Sequence, residues 1–118
     1  MELFDTTQSG LERALSGASL RQEAIASNIA NVNTPGYRRK DVDFQSALEA
    51  AWGEGHSAVD AVRPQISTDL ASQVRADGSS VDIDVEAAAQ AKNGLQYEAV
   101  TQVIKTRIAI LKTAMGTS

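Results

Sequence analysis

Apolar residues recur in alternating steps of four and three along the first third of the chain, at Leu11, Leu15, Ala18, Ile25, Ile29 and Val32 once Gln22 is admitted to the row. That spacing is a heptad seam and predicts a long helix over residues 7–33. Asp5, Thr6 and Thr7 are candidate N-caps, and Ser9 with Glu12 has the spacing of a capping box. Pro35-Gly36 ends the pattern, because proline disfavours helical backbone at Thr34 and glycine permits a turn at positive φ. At 1.5 Å per residue the helix measures about 40 Å.

A second periodic stretch predicts a helix over residues 84–115, with Asp82 or Asp84 as N-cap and Glu86 in the first turn, where a negative charge meets the positive end of the helix dipole. Its apolar arc is broad. Tyr97, Val100, Val103, Ile104, Ile108, Ile110, Leu111, Ala114 and Met115 spread over nearly half the circumference, and Leu95 is expected among the packing residues with them. Such an arc is wider than one partner helix covers.

Between the two, residues 34–42 read as turn and connector. A short helix is predicted over residues 43–52, capped by Asp43, carrying Phe44, Ala47, Leu48, Ala51 and Trp52, and stopped by Gly53-Glu54-Gly55. Residues 53–80 have no helical period. They hold alternating pieces, Gln65-Ile66-Ser67 and Gln73-Val74-Arg75, and the turn signal Asp77-Gly78-Ser79-Ser80. We read them as a long irregular arm, unusual in a compact domain and natural in a subunit that reaches its neighbours. The expected fold is therefore mainly α in a single domain of 118 residues: two long terminal helices forming an antiparallel coiled coil, a short middle helix and a long irregular central loop.

Composition narrows the function. A net charge of −4 with one basic run, Arg38-Arg39-Lys40, argues against nucleic acid, whose phosphates need clustered cations. The run itself follows a turn and reads as a solvated stretch before an anion site. No cysteine means no disulfide or thiolate-metal chemistry. The first residues lack the basic and apolar segments of a cleaved signal peptide, so any export is expected to proceed without cleavage. His56, the single histidine, sits among glycines with Asp60 four residues on and reads as a solvated loop residue, without the further ligands a metal requires. Asp82 and Asp84 precede a helix and read as caps rather than as an acid–base pair. No nucleophile, base and pocket are offered together, so no enzymatic activity, cofactor or small-molecule substrate is expected.

One segment is specific: Asn28-Ile29-Ala30-Asn31 on a helix, then Thr34-Pro35-Gly36-Tyr37. It closely resembles the N-terminal signature of the flagellar rod and hook axial protein family. Asp41-Val42-Asp43-Phe44, the stretch from Asp77 through Asp84 to Glu86, and Asn93-Gly94-Leu95-Gln96-Tyr97 resemble the proximal-rod members, whereas Ala88 is smaller than the residue usual there. The resemblance implies a structural subunit of the proximal rod in the periplasmic part of the flagellar basal body. It implies passage through the flagellar type III export apparatus. Implied partners are FlgC, FlgF, further copies of the chain, the adaptor FliE and the inner-membrane ring. Another rod subunit such as FlgC is the alternative within the family, and a cytoplasmic helical-hairpin adaptor or chaperone the alternative outside it. Asn28 and Asn31, three apart, share a helix face and are suited to hydrogen-bond a neighbouring backbone or carboxamide, or local backbone near the helix end. Tyr37 offers an apolar ring with a polar tip to an edge that is wet before assembly and buried after it.

Overall fold

The computed structural model describes residues 2–70 and 81–116, with side chains from Asp5 onward in the first stretch. The elements are α1 (Glu2–Ala30), β1 (Lys40–Asp41), α2 (Gln45–Trp52), α3 (His56–Asp60), β2 (Ser67–Thr68) and α4 (Ile83–Ala114). The molecule extends 61 × 31 × 14 Å, and its radius of gyration of 17.6 Å exceeds the roughly 13 Å of a globule of this length. It is a thin slab, mainly helical, in which most side chains lie near a surface.

The spine of the slab is α1. One of its faces carries α4, and the rest of it carries α2, α3 and β1; of the helices and strands, α4 packs on α1 alone. The two long helices run antiparallel, as their hydrogen-bond partners show: Arg107 Nε donates to Gln8 Oε1 at 3.2 Å, Asn93 Nδ2 to the Ala18 carbonyl at 2.8 Å, and Asn28 Nδ2 to Glu86 Oε2 at 3.2 Å.

On its other side α1 makes two flat landing sites. A Cβ at Gly10 would lie 2.6 Å from the Trp52 ring, and one at Gly17 2.3 Å from the Phe44 ring. Glycine inside a helix costs about 1 kcal/mol, which the close approach of an aromatic ring offsets. The buried cluster beside Gly17 is Ala24, Val42 and Phe44, with Ala14 and Leu20 packed against it. Arg21 closes it from above, its guanidinium 4.9 Å from the Phe44 centroid, with Nη2 donating to Gln45 Oε1 at 2.6 Å.

Several boundaries depart from the sequence reading. The first helix begins at Glu2 instead of residue 7, so Asp5, Thr6, Thr7 and Ser9 lie inside it and do not cap it. Thr6 and Ser9 are buried, and Ser9 Oγ faces Asp60 of α3 at 3.5 Å; small polar side chains here admit a neighbour. The helix ends at Ala30, three residues early, because successive turns take over, from Thr34 N–H to the Asn31 carbonyl and from Tyr37 N–H to the Thr34 carbonyl. The short helix begins at Gln45, with Phe44 at the N-cap position, although Asp43 still accepts from the Ser46 N–H and hydroxyl.

Residues 53–80 are not wholly irregular. A turn of helix, α3, starts after Gly55, whose φ of 108° is open to glycine alone. Five residues are too few to show a period. The ladder pairs Lys40 with Thr68 and Asp41 with Ser67 in antiparallel register. Gln73-Val74-Arg75 and Asp77-Gly78-Ser79-Ser80 lie outside the described residues. Asp82 caps α4 as expected, its carboxylate accepting from the backbone N–H of Asp84 and Val85, and Gly36 has the expected positive φ of 80°.

Candidate assembly surface and the polar knot beside it

Where the end of α1, the connector and the start of α4 meet, polar side chains form a closed network. Asn28, in the last turn of α1, is fully buried. Its Nδ2 donates to the Lys40 carbonyl at 2.8 Å and to Glu86 Oε2 at 3.2 Å. Its Oδ1 accepts from the Lys40 N–H at 2.7 Å and from the Tyr37 hydroxyl at 3.1 Å. A carboxamide has two donors and two acceptor sites, and all four are used. Toward Lys40 the carboxamide acts as a further strand would, taking both main-chain groups on the side of β1 away from β2.

Glu86 is also fully buried and answers the remaining groups. Its Oε1 accepts from Arg39 Nε at 2.8 Å, and Arg39 Nη1 reaches Asp69 Oδ2 at 2.6 Å. Burial works against the Arg39 charge, but hydrogen bonds to Glu86 and Asp69 outweigh it and raise the guanidinium above its usual pKa. The first turn of α4 adds the favourable end of its dipole to the buried Glu86 carboxylate. One network thus links α1, the connector, the strand pair and α4.

The signature residues occupy this network and its rim. Tyr37 turns its hydroxyl inward, donating to Asn28 and accepting from Ser27 Oγ at 3.0 Å, so its polar tip serves the fold of the chain itself. Asn31 folds back onto the Ser27 carbonyl at 2.8 Å and receives Thr34 Oγ1 at 3.1 Å. Ile29 is half-buried, whereas Ala30, Thr34, Pro35 and Gly36 are exposed. Arg39 is held in an ion pair and is not part of a solvated run; Arg38 and Lys40 are exposed.

Of the residues expected in the first seam, Ala18 and Ile25 are buried and Leu11, Leu15 and Ile29 half-buried within α1, and Val32, in the turn beyond its end, is also half-buried. Its partner behaves otherwise. The covered row of α4 is Glu86, Ala89, Asn93, Val100, Ile104 and Arg107, largely small or polar. Of the α4 residues expected in the seam, only Val100 and Ile104 are half-buried, while Leu95, Tyr97, Ile108 and Leu111 are exposed. Polar side chains took the inner row because they bond α1 directly, as Asn93 and Arg107 do, and small ones let the helices approach.

The apolar residues of α4 are left on two flanks. At ~100° per residue, Leu95, Val103 and Ile110 fall on one side of the covered row, and Tyr97, Ile108 and Met115 on the other. Leu95, Ile110 and Met115 are 69%, 62% and 70% exposed. Exposed apolar side chains grouped in this way make the two flanks candidate docking surfaces. Among the described residues no cluster of three metal-ligating side chains occurs, and no helix is long and apolar enough to cross a membrane.

Comparison with known proteins bears on the same residues. The sequence profile described as "Flagella basal body rod protein" matches residues 10–38, the span that carries Asn28 and the Pro-Gly turn. The chain is 32% identical to the flagellar basal body rod protein FlgB of Bacillus subtilis, over 98% of this chain and 97% of that one. Against FlgB of Aeromonas hydrophila identity is 31%, covering 96% of both. Against FlgB of Escherichia coli K12 it is 32%, over 74% of this chain and 76% of that one. These relatives are rod proteins and not enzymes.

Proposed function

The chain belongs to the FlgB family of flagellar basal body rod proteins, and we propose that it polymerises through the two uncovered flanks of α4, side by side with its neighbours. Family membership makes it a structural subunit of the basal-body rod. The observation that carries the further reading is the exposed apolar surface of α4 on both sides of α1, which requires two neighbours and not one.

In the assembled rod α1 and α4 act as an antiparallel coiled coil, which the antiparallel pairing of Asn93 with Ala18 and of Arg107 with Gln8 supports. The position is the proximal, periplasmic rod, reached through the flagellar type III export apparatus without cleavage. Its neighbours there are FlgC, FlgF, copies of itself, the adaptor FliE and the inner-membrane ring. Many interlocked side-chain contacts resist sliding, which is what torque transmission demands. The whole of residues 1–118 works as one rod-subunit domain, and the α1 row from Leu11 to Val32 forms the inner half of the packing.

Ile108→Asp tests this. Ile108 is 44% exposed in the free chain, so helical content and melting should change little, by about 0.5 kcal/mol or less. Incorporation into purified basal bodies should fail, because a carboxylate trapped in a dry interface costs several kcal/mol. Wild-type incorporation of this variant would contradict the proposal.

A further inference from the structure

Between α1 and α4 lies a groove of about 340 Å³ lined by Ser19, Gln22, Asn93, Gly94, Tyr97 and Glu98. Asn93 is 2% exposed, and its Oδ1 has no hydrogen-bond partner. The orientation of this carboxamide is fixed, because the Ala18 carbonyl 2.8 Å away can only accept and must face the Asn93 NH₂. A buried acceptor left without a donor is costly and calls for one from outside. Around it the groove offers the Glu98 carboxylate, the Ser19 hydroxyl and the face of Tyr97. Acceptors, a negative charge and an aromatic ring together select a guanidinium, which donates in a planar fork and stacks on aromatic faces.

We propose that the groove receives Arg38 of a second copy of this chain. The other described arginines are engaged: Arg13 with Asp60, Arg21 with Gln45, Arg39 with Glu86 and Asp69, Arg63 with its own backbone, and Arg107 with Gln8. Arg38 is exposed, and its two neighbours in sequence are both anchored, Tyr37 through Asn28 and Arg39 through Glu86. The knot thus presents the Arg38 guanidinium, with the Lys40 ammonium two residues on, on a stiff connector at the end of α1. From that connector to the groove is on the order of 15 Å along α1. Donor and acceptor lie at different places on the subunit, so a head-to-tail contact repeated from copy to copy can use both on every subunit.

This inference rests on the rod-subunit reading, and charge exchange tests it separately. Basal bodies are purified from flagellated cells whose only copy of the chain carries Arg38→Glu, Glu98→Arg or both, and the incorporated subunit is measured against the total. Each single variant should lower incorporation by about tenfold or more, the equivalent of losing a close charged contact. The double variant should restore most of it. Matching far-ultraviolet circular dichroism of the purified variants shows that the subunit still folds. Wild-type incorporation of the single variants, or a double variant no better than the worse single, overturns the contact with Arg38. If Ile108→Asp is excluded in the same cells while the single variants enter normally, the groove proposal fails and the docking flanks stand.

Discussion

The start and the remainder of α4 are opposites. At Glu86 every polar group that is buried finds its partner within the chain, from Asn28 to Arg39 to Asp69. From Leu95 to Met115 the helix leaves large apolar side chains exposed on either side of α1 among the described residues. A molecule folded for its own sake would distribute burial in the reverse way, since apolar area stabilises by leaving water and polar groups lose by it. The chain fixes one region by itself and leaves the other exposed.

The sharpest way to break this contrast is to unbalance the knot. Glu86→Ala removes the shared partner of Asn28 and Arg39, leaving a buried Asn28 N–H unbonded and Arg39 with its ion pair to Asp69, which should cost about 2–4 kcal/mol. In a subunit this thin such a loss should appear at room temperature as a clear fall in helical circular dichroism. An unchanged spectrum and urea midpoint would mean that the network does not hold α4 to α1.

A smaller effect separates the two glycine landing sites on α1. Gly17→Ala drives a Cβ into the buried Phe44 ring and should destabilise by about 1–3 kcal/mol. Gly10→Ala meets Trp52, which is 44% exposed and has room to swing, and the gain in helix propensity of about 1 kcal/mol offsets the displacement. That variant should sit within about 0.5 kcal/mol of wild type in urea melts. Equal losses for the two would show that Trp52 is as firmly seated as Phe44.

The sequence disclosed what is local and repeated. Two long helices follow from heptad spacing and from an apolar arc, the Asp82 cap from its place before that arc, and the positive φ of Gly36 from its place after proline. The breadth of the α4 arc is legible too, and α1 leaves much of it exposed. The choice of row inside the arc was not legible, because hydropathy ranks Leu95 and Ile108 above Asn93 and Arg107, while the structure ranks them by what α1 offers to bond. Likewise, Glu86, Arg39 and Asp69 meet from three distant segments, and no spacing in the sequence announces such a triad. In hindsight Gly10 and Gly17, one heptad apart, were the available sign of a second packing face on α1. Ser9 and Thr6 resembled caps because small polar residues suit a helix start and a close helix contact equally well.

Both apolar flanks of α4 are expected to become covered in the rod. The chain contains no cysteine, so single cysteines report without background. Ile110→Cys on one flank and Ile108→Cys on the other should react rapidly with a maleimide in the free subunit, as should Ser46→Cys on the exposed surface of α2. In intact purified basal bodies the account predicts that positions 108 and 110 are both strongly protected. Labelling of either flank in the assembled rod at the rate of the free subunit would contradict it.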